Sequence, residues 1–208
     1  MKKIVLATKN QNKIKEYNAL LGSDFKLISL DEIGFGREVE ETGATSTENA
    51  KIKAQAVFDF MKENNIDYPV LSDDSGLFVN ALGGEPGVMS ARYAGDHNDA
   101  ANRKKVLDKL GERLDRTAYF ECVLCYMYGS DMRIFMGRCF GEITTEELGK
   151  TDFGYDCIFY SDDLQKTFGE ATKEEKDSVS HRARAVEAFK KWMTPSNPNF
   201  SRHVTFNK

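Results

Sequence analysis

Asp73 and Asp74 are the residues of this chain with the strongest chemical demand. They stand side by side in Ser72-Asp73-Asp74-Ser75-Gly76, between two apolar runs, Pro69 to Leu71 and Leu77 to Val79. Adjacent carboxylates among apolar neighbours carry a desolvation cost on the order of several kcal/mol unless a cation or hydrogen-bond donors offset it. A bound metal does so naturally, and Mg²⁺ binds through one or two carboxylates and takes its remaining positions from phosphate oxygens and water. The plainer reading is an Asx-type turn between strands. On an extended backbone neighbouring side chains point opposite ways, so one aspartate is expected to face a reacting phosphate and the other to hold the loop. Glu38, Glu40 and Glu41, ahead of Thr42-Gly43, can complete a metal site if the fold brings one of them to Asp74. A solvated acidic loop is the alternative.

Two further segments carry polar groups suited to a nucleotide. Thr8-Lys9-Asn10-Gln11-Asn12-Lys13 lies between a strand and a helix N-terminus, where free backbone N–H groups and the helix dipole favour an anion. Thr8 and Asn10 add donors and Lys13 adds charge, although the glycines of a Walker A loop are absent. A polar turn that caps a helix fits the same residues. Phe153-Gly154-Tyr155-Asp156 combines aromatic faces that can stack on a purine with a carboxylate that can read its edge. Lys176 and Ser180-His181-Arg182 add donors near a helix start. Taken singly, each of these groups reads more readily as core aromatics or surface charge. Cys122 and Cys125 form a C-x-x-C pair, but on a strand positions three apart face opposite ways, so the pair reads as buried structural thiols.

The elements that must position these groups follow from periodicity. Ile4 to Ala7 is a buried strand, and Ile14, Tyr17, Leu20 and Leu21 mark a helix over Asn12 to Leu21, stopped by Gly22. Thr45 and Glu48 form a capping box for a helix with an Ala50, Ala54, Val57, Phe58 and Met61 stripe, and Asn49 and Lys53 lie one turn apart beside it. Pro69 to Leu71 begins a strand that the acidic segment breaks and Leu77 to Val79 resumes. Gly83 to Gly87 is a loop, and a polar helix spans Asp99 to Leu110. A strand from Thr117 to Tyr128 turns at Gly129-Ser130-Asp131 and returns as Met132 to Phe140. Thr172 and Glu175 cap a turn, and Ala185, Val186, Phe189 and Trp192 mark a last helix closed by Pro195. Ser196 to Lys208 carries no pattern. Helices and strands interleave as in one α/β domain, and 208 residues with 40% hydrophobic side chains suffice for its core. The net charge of −4 gives no footprint for nucleic acid, and no apolar stretch approaches the roughly 20 residues of a membrane span. A cytosolic protein is expected.

In this order the segments resemble the inosine triphosphate pyrophosphatase family, from Ile4 to about Trp192. The most specific stretch runs from Ser72-Asp73-Asp74-Ser75-Gly76-Leu77 through Ala81-Leu82-Gly83-Gly84-Glu85-Pro86-Gly87-Val88 to Ser90-Ala91-Arg92-Tyr93-Ala94-Gly95. Thr8-x-Asn10-x-x-Lys13 looks like the family's triphosphate loop, Glu40-Glu41-Thr42-Gly43 its acidic segment, and Glu48-Asn49-Ala50 with Lys53 its next helix. The resemblance implies an elongated mixed central sheet flanked by helices, two lobes with an active-site cleft between them in a single domain over 1–208, and a homodimer. It implies Mg²⁺ on Glu40 and Asp74, with Asp73 a further candidate. Asp74 would act as base, and Lys13 and Lys53 would serve both catalysis and phosphate binding. Thr8, Asn10, Ser75, Phe153, Gly154, Tyr155, Asp156, Lys176, His181 and Arg182 would contact substrate. The implied reaction turns the triphosphates of inosine, deoxyinosine and xanthosine into monophosphate and pyrophosphate. Thr151-Asp152 and Cys157 depart from the family's usual glycines and proline around Phe-Gly-Tyr-Asp, and Lys9 stands where a glycine is frequent. Three other readings compete: a pyrophosphatase of different base preference, a nucleotide sensor without turnover, and a thiol redox or zinc protein built on Cys122 and Cys125.

Overall fold

Strand β1 (Lys2–Leu6) runs into helix α1 (Gln11–Leu21), whose N-cap is Asn10. The Asn10 side chain accepts the backbone N–H groups of Asn12 and Lys13, which satisfies two donors that a helix start leaves open. Strand β2 (Phe25–Ile28), too short to leave a periodic signal, lies parallel to β1. Helix α2 (Ser46–Glu63) carries the expected capping box between Thr45 and Glu48 and buries Ala50, Ala54, Val57 and Met61. The computed structural model describes residues 1–95, 98–150 and 153–194. The departure at Thr151-Asp152, Pro195 and the tail Ser196 to Lys208 therefore lie outside the described residues.

Strand β3 (Val70–Val79) corrects the expectation of two short strands parted by a loop, because it is one unbroken strand of 10 residues. Its polar stretch stays extended because each side chain finds a partner. The Ser72 hydroxyl donates to the Ala50 carbonyl at 2.5 Å, and both aspartates meet lysines. Helix α3 (Asp99–Leu110) and strand β4 (Thr117–Tyr128) fall on their expected bounds. Strand β5 (Asp131–Ile143) extends past Phe140, since buried Gly141 and Ile143 continue its alternation. Strands β6 (Phe159–Ser161) and β7 (Lys166–Thr167) were not expected and are very short. The Thr172 capping box opens a full helix, α4 (Lys173–Val179), and helix α5 (His181–Trp192) begins ahead of Ala185.

The seven strands form a mixed sheet in the order β2-β1-β3-β4-β5-β6-β7, with β1 parallel to β2 and β3, and β6 antiparallel to β5 and β7. This is the α/β class expected. The chain divides into two compact units. The first comprises Met1–Asp74, Val123–Met136 and Ala185–Lys208, with a core that includes Val5, Ala7, Ala54, Val57, Val70, Val123 and Cys125. The second comprises Ser75–Cys122 and Gly137–Arg184, with a core that includes Leu77, Val79, Val106, Phe120, Tyr155, Ile158 and Phe168. All four cysteines are buried and unbridged. Burial pushes the Cys125 thiol up to about 11, away from the thiolate that redox or metal chemistry needs. Among the described residues no helix is long and apolar enough to cross a membrane.

Candidate active site

In the first unit, the alternation of β3 turns Asp73 and Asp74 to opposite sides, and each is met by a lysine from a different helix. Lys13 of α1 lies 2.8 Å from Asp73 Oδ2, and Lys53 of α2 lies 2.9 Å from Asp74 Oδ1. Lys53 also pairs with Glu41 at 3.3 Å. The acidic segment is held there by buried Asn49, whose side-chain oxygen accepts the Gly43 N–H at 2.8 Å. Only glycine fits that position, because a Cβ would lie 2.6 Å from Glu48 Cβ and 2.7 Å from Asn49 Oδ1. Glu48 then accepts the Ala44 and Thr45 N–H groups. This staple delivers Glu41 to Lys53, whereas Glu40 is exposed. The sequence spacing of Glu38, Glu40 and Glu41 did not show which of them reaches the lysine. The one-turn spacing of Asn49 and Lys53 was the available signal.

Asp74 is only 5% exposed. Burial pushes its carboxyl up, Lys53 and Lys13 pull it down, Glu41 pushes it up again, and the balance stands at about 6. For Lys53, burial works against the charge, but Asp74, Asp73 and Glu41 outweigh it and hold the ammonium above its ordinary value. Asp74 Oδ2 is buried and has no hydrogen-bond partner among the described residues. That oxygen is the observation that tests a metal here, since an orphaned carboxylate oxygen is what a hard cation satisfies. Among the described residues no three His, Cys, Asp or Glu side chains form a metal cage. The unpartnered Asp74 Oδ2 could serve an ion that binds through one or two carboxylates and takes its other positions from phosphate and water, as Mg²⁺ does.

The turn before α1 is partly occupied by its own hydrogen bonds. Thr8 Oγ1 accepts the Asn10 N–H at 3.2 Å, and Asn10 Oδ1 takes the Asn12 and Lys13 amides. Asn10 thus acts first as a cap, and Lys13 is the charge this segment brings to the carboxylates.

In the second unit, the Phe153 to Asp156 segment is pinned at successive residues. Gly154 donates to Asp99 Oδ2 at 2.8 Å and accepts from Arg103 Nη1 at 3.0 Å. The Tyr155 hydroxyl donates to the Ser90 carbonyl at 2.7 Å, and this side chain is buried in the core. Asp156, also buried, pairs with Lys176 at 2.6 Å, and the Lys176 ammonium lies 5.2 Å from the Phe153 ring centroid. His181 and Arg182 are buried, and the His181 ring stacks on Phe120 at 4.7 Å and 14°. Ser75 is half-buried directly after Asp74. The motif between Gly76 and Ser90 is architectural. Gly76 packs so closely that a Cβ would lie 2.4 Å from the Gly87 carbonyl oxygen, while Ser90 Oγ accepts the Leu77 N–H and donates to that same carbonyl. Asp99, Arg103, Ser90 and Phe120 escaped the sequence reading because each acts across a long chain separation.

An α/β chain whose buried aspartates are each met by a lysine, with one carboxylate oxygen left over among the described residues, belongs to the class of proteins suited to a small anionic ligand such as a phosphate chain. Residues 4–192 match the Ham1 family, and the chain belongs to that family. It is 42% identical over 196 residues to the dITP/XTP pyrophosphatase of Staphylococcus aureus strain MRSA252, covering 93% of this chain and 97% of that one. It is also 42% identical over 193 residues to the dITP/XTP pyrophosphatase of Christiangramia forsetii, covering 92% and 99%. The solved structure of the Staphylococcus aureus Ham1 protein superposes with a TM-score of 0.81 at 41% identity, over 92% of this chain and 97% of that chain.

Proposed function

We propose that the chain hydrolyses the non-standard purine nucleoside triphosphates of inosine, deoxyinosine and xanthosine to monophosphate and pyrophosphate, with Mg²⁺, in the cytosol. The observation that carries this reading is Asp74, a buried carboxylate poised at about 6 with one oxygen on Lys53 and the other unpartnered among the described residues. The names of the relatives agree with it. We assign the phosphate chemistry to Asp74, Lys13 and Lys53 and the reading of the base to the Phe153 to Asp156 segment with Lys176, His181 and Arg182.

Asp74 is the general base. Burial makes its carboxyl more basic than an ordinary aspartate, which suits it to take a proton from the water that attacks the α-phosphorus. Lys13 and Lys53 neutralise the phosphate chain and the charge that develops on the departing pyrophosphate. Thr8 and Asn10 border that chain. Mg²⁺, held by Asp74 with Glu40 or Glu41, would lower the pKa of the attacking water and screen the phosphate oxygens. Asp73, already paired with Lys13, holds that lysine in place. Ser75, Phe153, Gly154, Tyr155, Asp156, Lys176, His181 and Arg182 meet the sugar and base, with Tyr155 acting through the fixed backbone of its segment. His181 and Arg182 donate hydrogen bonds to the 6-carbonyl of hypoxanthine or xanthine and leave the 6-amino group of adenine, itself a donor, unpaired. Guanine is refused through its 2-amino group. A homodimer completes the proposal. Met132, Met136 and Phe140, exposed on one face of β5, offer apolar surface for it, and a sedimentation mass of one chain at micromolar concentration would remove that part.

Product analysis is the test. Inosine triphosphate with Mg²⁺ should yield pyrophosphate and monophosphate in equal amounts, far faster than ATP or GTP. Orthophosphate as first product, equal rates on all three, or binding without turnover would each reject the assignment.

A further inference from the structure

We propose that Asp99 and Arg103, one turn apart on α3, are positioning residues that set base selectivity by clamping the Gly154 peptide. The inference rests on the reading above that the Phe153 to Asp156 segment meets the base. Asp99 Oδ2 accepts the Gly154 N–H at 2.8 Å and Arg103 Nη1 donates to the Gly154 carbonyl at 3.0 Å, so one helix holds both polar groups of a single loop residue. Gly154 has φ +57°, and a Cβ there would meet nothing within 4 Å. The glycine therefore answers a conformational demand, the left-handed backbone that presents N–H and carbonyl to α3, and not a lack of room.

Arg103 is built for this task. Its guanidinium is buried, with Nε 2.9 Å from Glu147 Oε1 while Nη1 serves the Gly154 carbonyl. The rigid fork satisfies a carboxylate and a carbonyl together, which the flexible single ammonium of lysine does less well. Phe153 precedes the clamped peptide, and Asp156 follows Tyr155, whose hydroxyl is itself fixed to Ser90. The ring and the carboxylate proposed to meet the base thus hang from a backbone tied down at the Gly154 N–H, the Gly154 carbonyl and the Tyr155 hydroxyl. Discrimination between purines that differ by one exocyclic group depends on such placement, and sites carried by a helix hold it better than a free loop.

The test uses the full chain with Mg²⁺, pyrophosphate release from inosine triphosphate, GTP and ATP, and amide hydrogen exchange at Gly154. Asp99→Ala and Arg103→Met should raise KM for inosine triphosphate about tenfold and lower the kcat/KM preference over GTP about tenfold, as expected for losing one charge-assisted hydrogen bond. Their kcat should change by less than about threefold. Asp99→Asn, which still accepts the N–H, should stay near the wild type, and Gly154 exchange should accelerate in Asp99→Ala alone of the two. Accelerated exchange with an unchanged preference overturns the inference, as does equal damage by Asp99→Ala and Asp99→Asn. If the wild type itself shows no preference for inosine triphosphate, the functional reading fails; unchanged Gly154 exchange in Asp99→Ala sinks the clamp separately.

Discussion

Replacing Asp74 by Asn should abolish turnover and at the same time stabilise the metal-free protein. The Asp74 carboxyl stands at about 6 against an ordinary value of 3.8, with burial as the leading cause. For an acid, a raised folded-state pKa means that the native state binds the proton more tightly than the unfolded state does. Its ionisation therefore opposes folding: the full penalty is present above about 6, declines as pH falls, and is gone below about 4. At about 1.4 kcal/mol per pH unit, the gap amounts to roughly 3 kcal/mol. Asn keeps the side-chain shape and an oxygen for Lys53 but carries no charge to desolvate. Thermal melts in chelator at pH 8 should place Asp74→Asn roughly 6–12 °C above the wild type, taking about 2–4 °C per kcal/mol for a chain of this size. At pH 4 the two should nearly coincide. A variant that melts lower than the wild type at pH 8, or an advantage that persists undiminished at pH 4, would refute the reasoning.

Three other substitutions probe neighbouring parts of the argument. Lys53→Met leaves the Asp74 charge buried without its nearest cation, so stability at pH 8 should fall by about 3–5 kcal/mol, with a smaller loss near pH 5 where Asp74 takes a proton, as read by urea titration at both values. Gly43→Ala drives a Cβ into Glu48 and Asn49; activity should drop at least tenfold as Glu41 leaves Lys53, and combination with Asn49→Ala in a double-mutant cycle should be clearly less than additive. Tyr126→Phe removes a buried hydroxyl that has no partner among the described residues while keeping its ring contacts with Phe189 and Trp192. It should stabilise by about 1 kcal/mol in a denaturant melt.

What the sequence revealed and what it hid divide along range. The capping boxes at Thr45 and Thr172, and the bounds of α3 and β4, were legible because a cap or a period is written in residues a few positions apart. The continuity of β3 was not. Two aspartates in a row look like a strand breaker until their partners are known, and those partners lie 60 and 21 positions away. Sequence spacing alone did not show which acid of the Glu38 to Glu41 segment meets Lys53; the resemblance pointed to Glu40 for the metal, and the Gly43 peptide packing on Asn49 brings Glu41 to that lysine. Tyr155 read as a stacking face. Its hydroxyl reaches Ser90, 65 positions back, and that bond turns the ring into core. The candidate residues were thus identifiable by type, while their pairings belong to the tertiary fold.

The placement of the carboxylates on a strand and not on a loop has a consequence for how the site works. A loop could relieve the repulsion and desolvation of Asp74 by moving into water, but β3 is buried and hydrogen-bonded within a sheet, so the charge stays where it is costly. The lysines offset part of that cost, and burial still holds the carboxyl at about 6. The remainder can be relieved by a ligand that brings positive charge to Asp74 Oδ2, which ties binding to stability. A cation that binds only the folded chain stabilises it by about 2.7 kcal/mol at one hundred times its Kd. Titrating Mg²⁺ should therefore raise the melting temperature of the wild type and leave Asp74→Asn unmoved. Equal upward shifts in both would mean that the ion binds elsewhere and that the buried carboxylate serves another end.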